Sequence, residues 1–140
     1  MSKTNKAIGG GGFHHVAIRS ANFDASVKFY EEVLGCVEKV RWDAGDTKAV
    51  MLDTGDGNYI EIFANGSKGP KPEGNIIHYA LRTDDIDAAI ERVRAAGATI
   101  IHNAKTVDFV NAAPNPTTVR VAFFSGPDGE IIELFQSDAL

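Results

Sequence analysis

One short motif occurs twice in the chain, and it constrains the fold more than any other feature of the sequence. Residues 57–64 and 129–136 both follow the pattern G-x-x-I-E-(I/L)-F-x, a glycine followed by an apolar run that contains one carboxylate. Apolar runs of this length, bounded by Gly and Asp, are typical of β-strands. Glu is disfavoured inside such a run, and burying an unpaired carboxylate is costly. Two copies at matching positions therefore indicate an internal duplication in which Glu61 and Glu133 each have a role.

The other strand and helix signals recur in the same order in both halves. The first half predicts a strand, a helix and three strands at 13–19, 24–34, 36–42, 47–54 and 58–64. The second half predicts the same elements at 76–82, 86–96, 98–102, 118–125 and 130–136, with a long loop at 103–117. The fold class is therefore α+β, with βαβββ modules at 13–65 and 76–136 in one domain of residues 13–136. Residues 1–12 end in four glycines and are predicted to form a flexible tail.

Composition and charge exclude several classes of protein. A chain of 140 residues with 44% hydrophobic and 24% charged residues is typical of one globular domain. The net charge of −5 argues against nucleic acid or an anionic membrane as a partner. No apolar run reaches the roughly 20 residues that a membrane helix needs. Because there is one cysteine and no apolar N-terminal signal segment, the chain is predicted to be cytoplasmic.

Each predicted module opens with a strand histidine and closes with a strand glutamate. His15 precedes Glu61 by 46 residues and His78 precedes Glu133 by 55, and the extra nine fall mostly in the loop at 103–117. Imidazole and carboxylate groups bind zinc, nickel, cobalt, manganese or ferrous iron. A lone strand His or Glu is usually a surface or hydrogen-bonded residue, but that explanation must here account for two matched pairs. We therefore predict that these four side chains bind one divalent metal ion.

Strand alternation predicts which side chains share a face with these ligands. The ligand faces carry small or polar residues, among them Arg19 and Asn65. The opposite faces, expected to cover the helices, carry Val16, Ile18, Ile60, Ile62, Ile77, Leu81, Ile132 and Leu134. Two such sheets would curl into a cup with the metal at its floor. The same alternation predicts that His14 faces away from the cup, His102 has no counterpart, and Cys36 is predicted to be a small buried side chain.

These residues together resemble the vicinal oxygen chelate superfamily, which includes glyoxalase I, methylmalonyl-CoA epimerase, extradiol dioxygenases, fosfomycin-modifying enzymes and bleomycin-binding proteins. The resemblance covers about residues 13–136. It rests on the segments HHVAIR, VKFYEEVLG, IHYALRTDDIDAAIERVRAAGA and GPDGEIIELFQ. It implies paired βαβββ modules that form a metal-bearing cup, often completed in a homodimer.

Bacterial-type glyoxalase I is the member that the chain resembles most closely. Its ligand set falls on His15, Glu61, His78 and Glu133. Its two glutathione-contacting residues, an Arg and an Asn, fall on Arg19 and Asn65. The resemblance implies Glu133 as the catalytic base and Glu61 as its partner. It also implies a metal-dependent lyase or isomerase whose small-molecule substrate has vicinal oxygens, such as a thiol hemithioacetal, and reacts through a metal-stabilised enediolate.

Two other kinds of function fit the same residues. One is a different metal-dependent reaction of the superfamily, either dioxygenation or thiol transfer to an antibiotic. The other is a non-catalytic protein that binds a small molecule. The loop at 103–117, which borders the substrate in this superfamily, is longer than in short bacterial glyoxalases and contains Pro114 and Pro116.

Overall fold

The computed structural model of the chain describes residues 7, 13–44, 47–69, 71, 72, 74 and 76–140. The predicted tail at 1–12 therefore lies outside the described residues, except for Ala7. The chain divides into two compact units, Met1–Gly66 and Ser67–Leu140. Each unit contains one helix and one four-stranded sheet, which confirms the predicted α+β class and the paired βαβββ modules.

The first unit places its two ends side by side in the sheet. Its elements are β1 (His15–Arg19), α1 (Phe23–Glu32), β2 (Val37–Ala44), β3 (Thr47–Asp53) and β4 (Tyr59–Phe63). The strand order is β1-β4-β3-β2, with β1 parallel to β4 and the other neighbours antiparallel. The strand that carries His15 therefore lies directly beside the strand that carries Glu61.

The second unit repeats this topology. Its elements are β5 (Tyr79–Arg82), α2 (Ile86–Ala95), β6 (Ile100–Phe109), β7 (Thr117–Ser125) and β8 (Ile131–Gln136). The strand order is β5-β8-β7-β6, with β5 parallel to β8 and the other pairs antiparallel. The parallel pair at the sheet edge again brings the start of the module beside its last strand.

Local sequence signals set the ends of both helices. The side chains of Asn22 and Asp85 cap α1 and α2 by accepting hydrogen bonds of 3.2 and 3.1 Å from the amide three residues later. Gly35 and Gly97 follow the helices with φ of 71° and 86°, a conformation that glycine adopts without strain. Asn22 and Asp85 therefore cap the starts of the two helices, and a glycine follows the end of each. No helix among the described residues is long and apolar enough to cross a membrane.

Each sheet packs one apolar face on its own helix. The buried side chains of this layer in the first unit are Val27, Tyr30, Val50, Leu52, Ile60 and Ile62. Their counterparts in the second unit are Ile86, Ile90, Val93, Phe124, Ile132 and Leu134. The prediction was wrong for Ile77, which is 56% exposed. The reason is that β5 begins at Tyr79, three residues later than predicted, so Ile77 precedes the paired strand.

The predicted loop at 103–117 was also wrong for its first half. Strand β6 continues to Phe109 because its residues pair with β7, from Lys105 opposite Val121 to Phe109 opposite Thr117. A hydrogen bond of 2.7 Å from the Thr118 hydroxyl to the Asp108 carboxylate joins the two strands. Only residues 110–116, which include both prolines, connect the strands of this hairpin.

Gly66 and Gly126 differ in what a side chain at their position would contact, backbone in one case and a side chain in the other. A Cβ on Gly66 would lie 2.6 Å from the Ser20 carbonyl carbon and 2.8 Å from the Ala21 nitrogen, and neither backbone atom can move away alone. A Cβ on Gly126 would instead overlap the Glu130 side chain, which can rotate. We expect Gly66→Ala to lower the free energy of unfolding by about 1–3 kcal/mol. We expect Gly126→Ala to lower it by no more than about 1 kcal/mol. Urea unfolding of both variants checks this, and equal losses would contradict it.

Candidate functional site

The first unit holds a histidine and a glutamate in contact across its parallel strands. His15 Nε2 lies 3.3 Å from Glu61 Oε2. The strand register puts Tyr59 opposite His15 and Ala17 opposite Glu61, so the small Ala17 leaves room for the longer side chains to meet. Glu61 is 8% exposed, whereas the His15 ring lies at the surface. Sequence reasoning predicted that both residues bind one metal ion, and the parallel pairing of β1 with β4 accounts for their proximity.

The second unit repeats the pair with nearly the same geometry. His78 Nε2 lies 3.0 Å from Glu133 Oε2, and Glu133 is also 8% exposed. Ala80 lies opposite Glu133, as Ala17 lies opposite Glu61. His78 precedes β5 by one residue, so the short strand does not itself carry the histidine. The duplication read from the sequence is therefore present in three dimensions as two His–Glu pairs.

The separations within the pairs suit metal coordination as well as hydrogen bonding. Nitrogen and oxygen ligands that lie about 2.0–2.2 Å from one ion are about 2.9–3.4 Å from each other. Both pairs, at 3.3 and 3.0 Å, fall in that range. An N–H···O hydrogen bond is usually about 2.7–3.2 Å long, which fits the second pair better than the first. Across the described ranges, His, Cys, Asp and Glu side chains form no group of three or more that could hold a metal ion.

Glu61 and Glu133 are buried carboxylates, and each has a histidine as its polar partner. A buried carboxylate is stable only when it is paired, hydrogen-bonded or bound to a metal. In the part of the chain that the structure describes, no buried side-chain nitrogen or oxygen lacks a partner. Each imidazole therefore either donates a hydrogen bond to its glutamate or shares a cation with it. In both arrangements the carboxylate is oriented toward a partly exposed ring.

His14 lies against the first pair, contrary to the sequence prediction. Its Nδ1 is 3.0 Å from His15 Nδ1, and the two rings meet edge to face with centroids 5.2 Å apart. Its ring also contacts Tyr59 at 5.2 Å. The prediction failed because alternation applies only within a paired strand, and β1 begins at His15. A hydrogen bond between the two Nδ1 atoms fixes the ring of His15 and leaves its Nε2 toward Glu61.

A histidine and a phenylalanine extend the second pair, and sequence reasoning assigned neither of them to the site. The Phe123 ring contacts His78 at 5.5 Å and His102 at 5.7 Å between centroids, edge to face in both cases. Edge-to-face contacts between aromatic rings stabilise and orient them. His102 has no counterpart because the equivalent position of the first unit is Val40, and the position equivalent to Phe123 is Met51. The bulges in β6 obscured this register in the sequence.

Arg19 and Asn65 lie at the ends of the two strands that carry the first pair. Arg19 lies opposite Phe63, its guanidinium is 5.7 Å from the centre of that ring, and it donates a hydrogen bond of 3.2 Å to the Ala64 carbonyl. Asn65 follows β4 with a φ of 65°, a left-handed conformation that Asn tolerates better than most residues. The structure thus places both residues beyond Glu61 at the same end of the parallel pair.

Cys36 takes no part in a reactive site. It is buried, and burial raises the pKa of its thiol to about 11, with the Asp53 and Glu31 carboxylates adding to the shift. A thiol with that pKa is almost wholly protonated near pH 7 and is a poor nucleophile. The prediction that Cys36 is a small buried side chain is confirmed.

Comparison with known proteins gives a consistent result. Residues 12–134 match the Glyoxalase/Bleomycin resistance protein/Dioxygenase superfamily. The Bacillus subtilis protein YwbC is 33% identical over 126 residues, covering 87% of this chain and 94% of its own. A lactoylglutathione lyase of Neisseria meningitidis serogroup A is 30% identical over 128 residues, covering 87% and 88%.

A solved structure agrees with these sequence relatives. The trypanothione-dependent glyoxalase I of Leishmania major is 26% identical, has a TM-score of 0.70, and covers 90% of this chain and 86% of its own. The topology of each unit, the two His–Glu pairs and the match over residues 12–134 lead to one conclusion. The chain belongs to the Glyoxalase/Bleomycin resistance protein/Dioxygenase superfamily.

Proposed function

We propose that the protein is a metal-dependent lyase or isomerase of the glyoxalase I type. Its substrate would be a small molecule with vicinal oxygens, such as a thiol hemithioacetal. The observation that carries the proposal is the repeated pair, His15 with Glu61 and His78 with Glu133, at 3.3 and 3.0 Å. Relatives support it, since one at 30% identity is named lactoylglutathione lyase. The active assembly would be a homodimer, which a molar mass of two chains in light scattering would confirm.

The two pairs together would hold one divalent cation. Two imidazoles and two carboxylates are a donor set that zinc, nickel, cobalt, manganese and ferrous iron all accept. A cation bound there would polarise a substrate carbonyl and so acidify the adjacent C–H bond. The protein's own residues then have to bind the substrate, accept the proton and return it.

Glu133 would accept that proton and deliver it to the neighbouring carbon. Its carboxylate is buried and oriented by His78, which fixes the oxygen that takes the proton. A base must lie within hydrogen-bond reach of the proton that it removes, and a carboxylate beside a partly exposed imidazole can meet a substrate there. Glu61 would be the corresponding group on the other side of the substrate.

Arg19 and Asn65 would hold the part of the substrate that does not react. The Arg19 guanidinium has five N–H donors, and the contact with Phe63 and the bond to Ala64 fix its plane. Planar guanidinium groups bind carboxylates through two parallel hydrogen bonds. The charged end of a carrier thiol is a suitable ligand for this position.

Metal analysis of the purified protein tests the proposed ligands. We expect bound divalent metal in the wild type and its loss in His78→Gln, because removal of a direct ligand weakens binding more than the 10–100-fold typical of indirect partners. His102→Gln is the matched control, since His102 lies in the same unit but contacts Phe123 rather than Glu133. Mass spectrometry of metal content after dialysis provides the measurement. Equal metal content in all three proteins would contradict the ligand assignment.

An activity assay separates the proposed function from its alternatives. Methylglyoxal with glutathione would be supplied to protein reconstituted with nickel, zinc, cobalt, manganese or iron. Formation of the thioester supports the proposal. Oxygen-dependent ring opening, or activity that needs a thiol and an epoxide, would instead identify another reaction of the superfamily. A metal-free preparation that responds to none of these ions would indicate a binding protein.

A further inference from the structure

We propose that His102 determines substrate specificity by binding a carboxylate on the part of the substrate remote from the reacting oxygens. This inference rests on the proposed function, because it places the reacting oxygens at the pair His78–Glu133. It concerns a residue outside that pair and within the same unit. The expected substrates therefore carry vicinal oxygens at one end and an anionic group at the other.

Strand register places His102 in line with the pair. Glu133 of β8 lies opposite Phe123 of β7, and Phe123 lies opposite His102 of β6. Neighbouring strands are about 4.8 Å apart, so His102 is about two strand spacings from Glu133. The Phe123 ring touches both His78 and His102, which shows that all these side chains project from one face of the sheet.

The imidazole of His102 is available to a ligand. The residue is exposed, and among the described residues neither of its ring nitrogens has a hydrogen-bond partner. The contact with Phe123 limits the orientations of the ring without using a nitrogen. An imidazole held in this way can donate a hydrogen bond to a ligand while losing little conformational freedom.

The charge around His102 selects an anion. Lys105 is exposed and lies opposite Val121. Val121 is two residues from Phe123, so both lie on the same face of β7 and Lys105 lies on the face that carries His102. A permanent cation, Lys105, thus lies near the histidine on this face. In the first unit the positions equivalent to His102 and Phe123 are Val40 and Met51, so this row binds an anion only in the second unit, in addition to the position of Arg19.

Two catechols test the inference through binding rather than turnover. Their oxygens lie on a carbon–carbon double bond, as in an enediolate, and zinc avoids redox chemistry. The probes are 3,4-dihydroxybenzoate, which carries a remote carboxylate, and 4-methylcatechol, which does not. Dissociation constants for both would be measured by calorimetry on zinc-loaded protein. We expect the wild type to bind 3,4-dihydroxybenzoate at least about tenfold more tightly than 4-methylcatechol, because its carboxylate accepts a charge-assisted hydrogen bond.

The variants isolate the histidine. His102→Phe keeps an aromatic ring against Phe123 but removes the donor, and His102→Ala serves if the larger ring disturbs folding. Thr106→Ala is the matched control, because Thr106 lies on the same strand opposite Arg120, whose guanidinium contacts Asp87 on the helix side of the sheet. We expect the carboxylate preference to disappear in both His102 variants and to remain in Thr106→Ala. Zinc content and 4-methylcatechol binding should stay unchanged in all three.

The two probes keep the inference separate from the function on which it rests. Binding of 4-methylcatechol without a carboxylate preference in the wild type would overturn the role of His102 alone. A preference that persists in the His102 variants would overturn it as well. Failure of both catechols to bind zinc-loaded protein would overturn the chelating site and, with it, this inference.

Discussion

Replacing Glu133 with Gln is expected to lower kcat by at least about 100-fold, because general bases contribute about 10²–10⁴-fold to such reactions. Gln has the shape of Glu and can still contact His78, whose Nε2 lies 3.0 Å from the carboxylate, but its amide cannot accept the proton. KM should change little in the metal-loaded variant, since the amide oxygen can still face the cation and the lost proton acceptor acts in the transition state. Steady-state kinetics on the substrate that the wild type turns over, together with metal analysis, provide the measurement.

Two further variants show whether that loss is specific. Glu91→Gln removes an exposed carboxylate on α2, where Glu91 pairs with Arg94, and should leave kcat unchanged. Glu61→Gln removes the carboxylate of the first unit, and its effect shows which pair supplies the base. A Glu133→Gln protein that retains its metal and turns over at the wild-type rate would eliminate the proposed mechanism.

Phe124→Ala is expected to produce the largest loss of stability of any substitution considered. Phe124 is fully buried in β7 between Ile100 and Ile132 and packs in the layer under α2. Phe→Ala in a core costs about 3–5 kcal/mol, through lost burial and the cavity left behind. A domain is stable by only about 5–15 kcal/mol, so much of the second unit's stability depends on this ring.

The matched control for that variant is Phe13→Ala, since Phe13 is 85% exposed. We expect its free energy of unfolding to stay within about 0.5 kcal/mol of the wild type. Urea unfolding followed by circular dichroism, with chelator present so that bound metal adds no stability, compares the two. Similar losses in both variants would show that the layer under α2 does not behave as the core.

The helices and the modules could be predicted because their signals are local. Asn22 as a cap and Gly35 and Gly97 as stops act on backbone groups within a few residues, so the helix ends follow from nearby side chains alone. The alternation of apolar residues in 57–64 and 129–136 likewise depends only on the strand repeat. The duplication then linked the two halves, since each half has the same order of such signals.

The errors occurred where one strand depends on another. Residues 103–109 carry no clear alternation, yet they form half of β6 because β7 offers free hydrogen-bonding groups to pair with. The same dependence moved the start of β5 to Tyr79 and exposed Ile77. Strand propensity is set largely by packing and cross-strand neighbours, which a single sequence does not contain.

The sequence alone determined the duplicated βαβββ plan, the His and Glu of each copy and the burial of Cys36, because repetition and local periodicity carry that information. Only the tertiary structure decided that His14 touches His15 and that Phe123 joins His78 to His102. Those contacts depend on strand register and on where pairing begins, and both are set by hydrogen bonds between segments far apart in the chain.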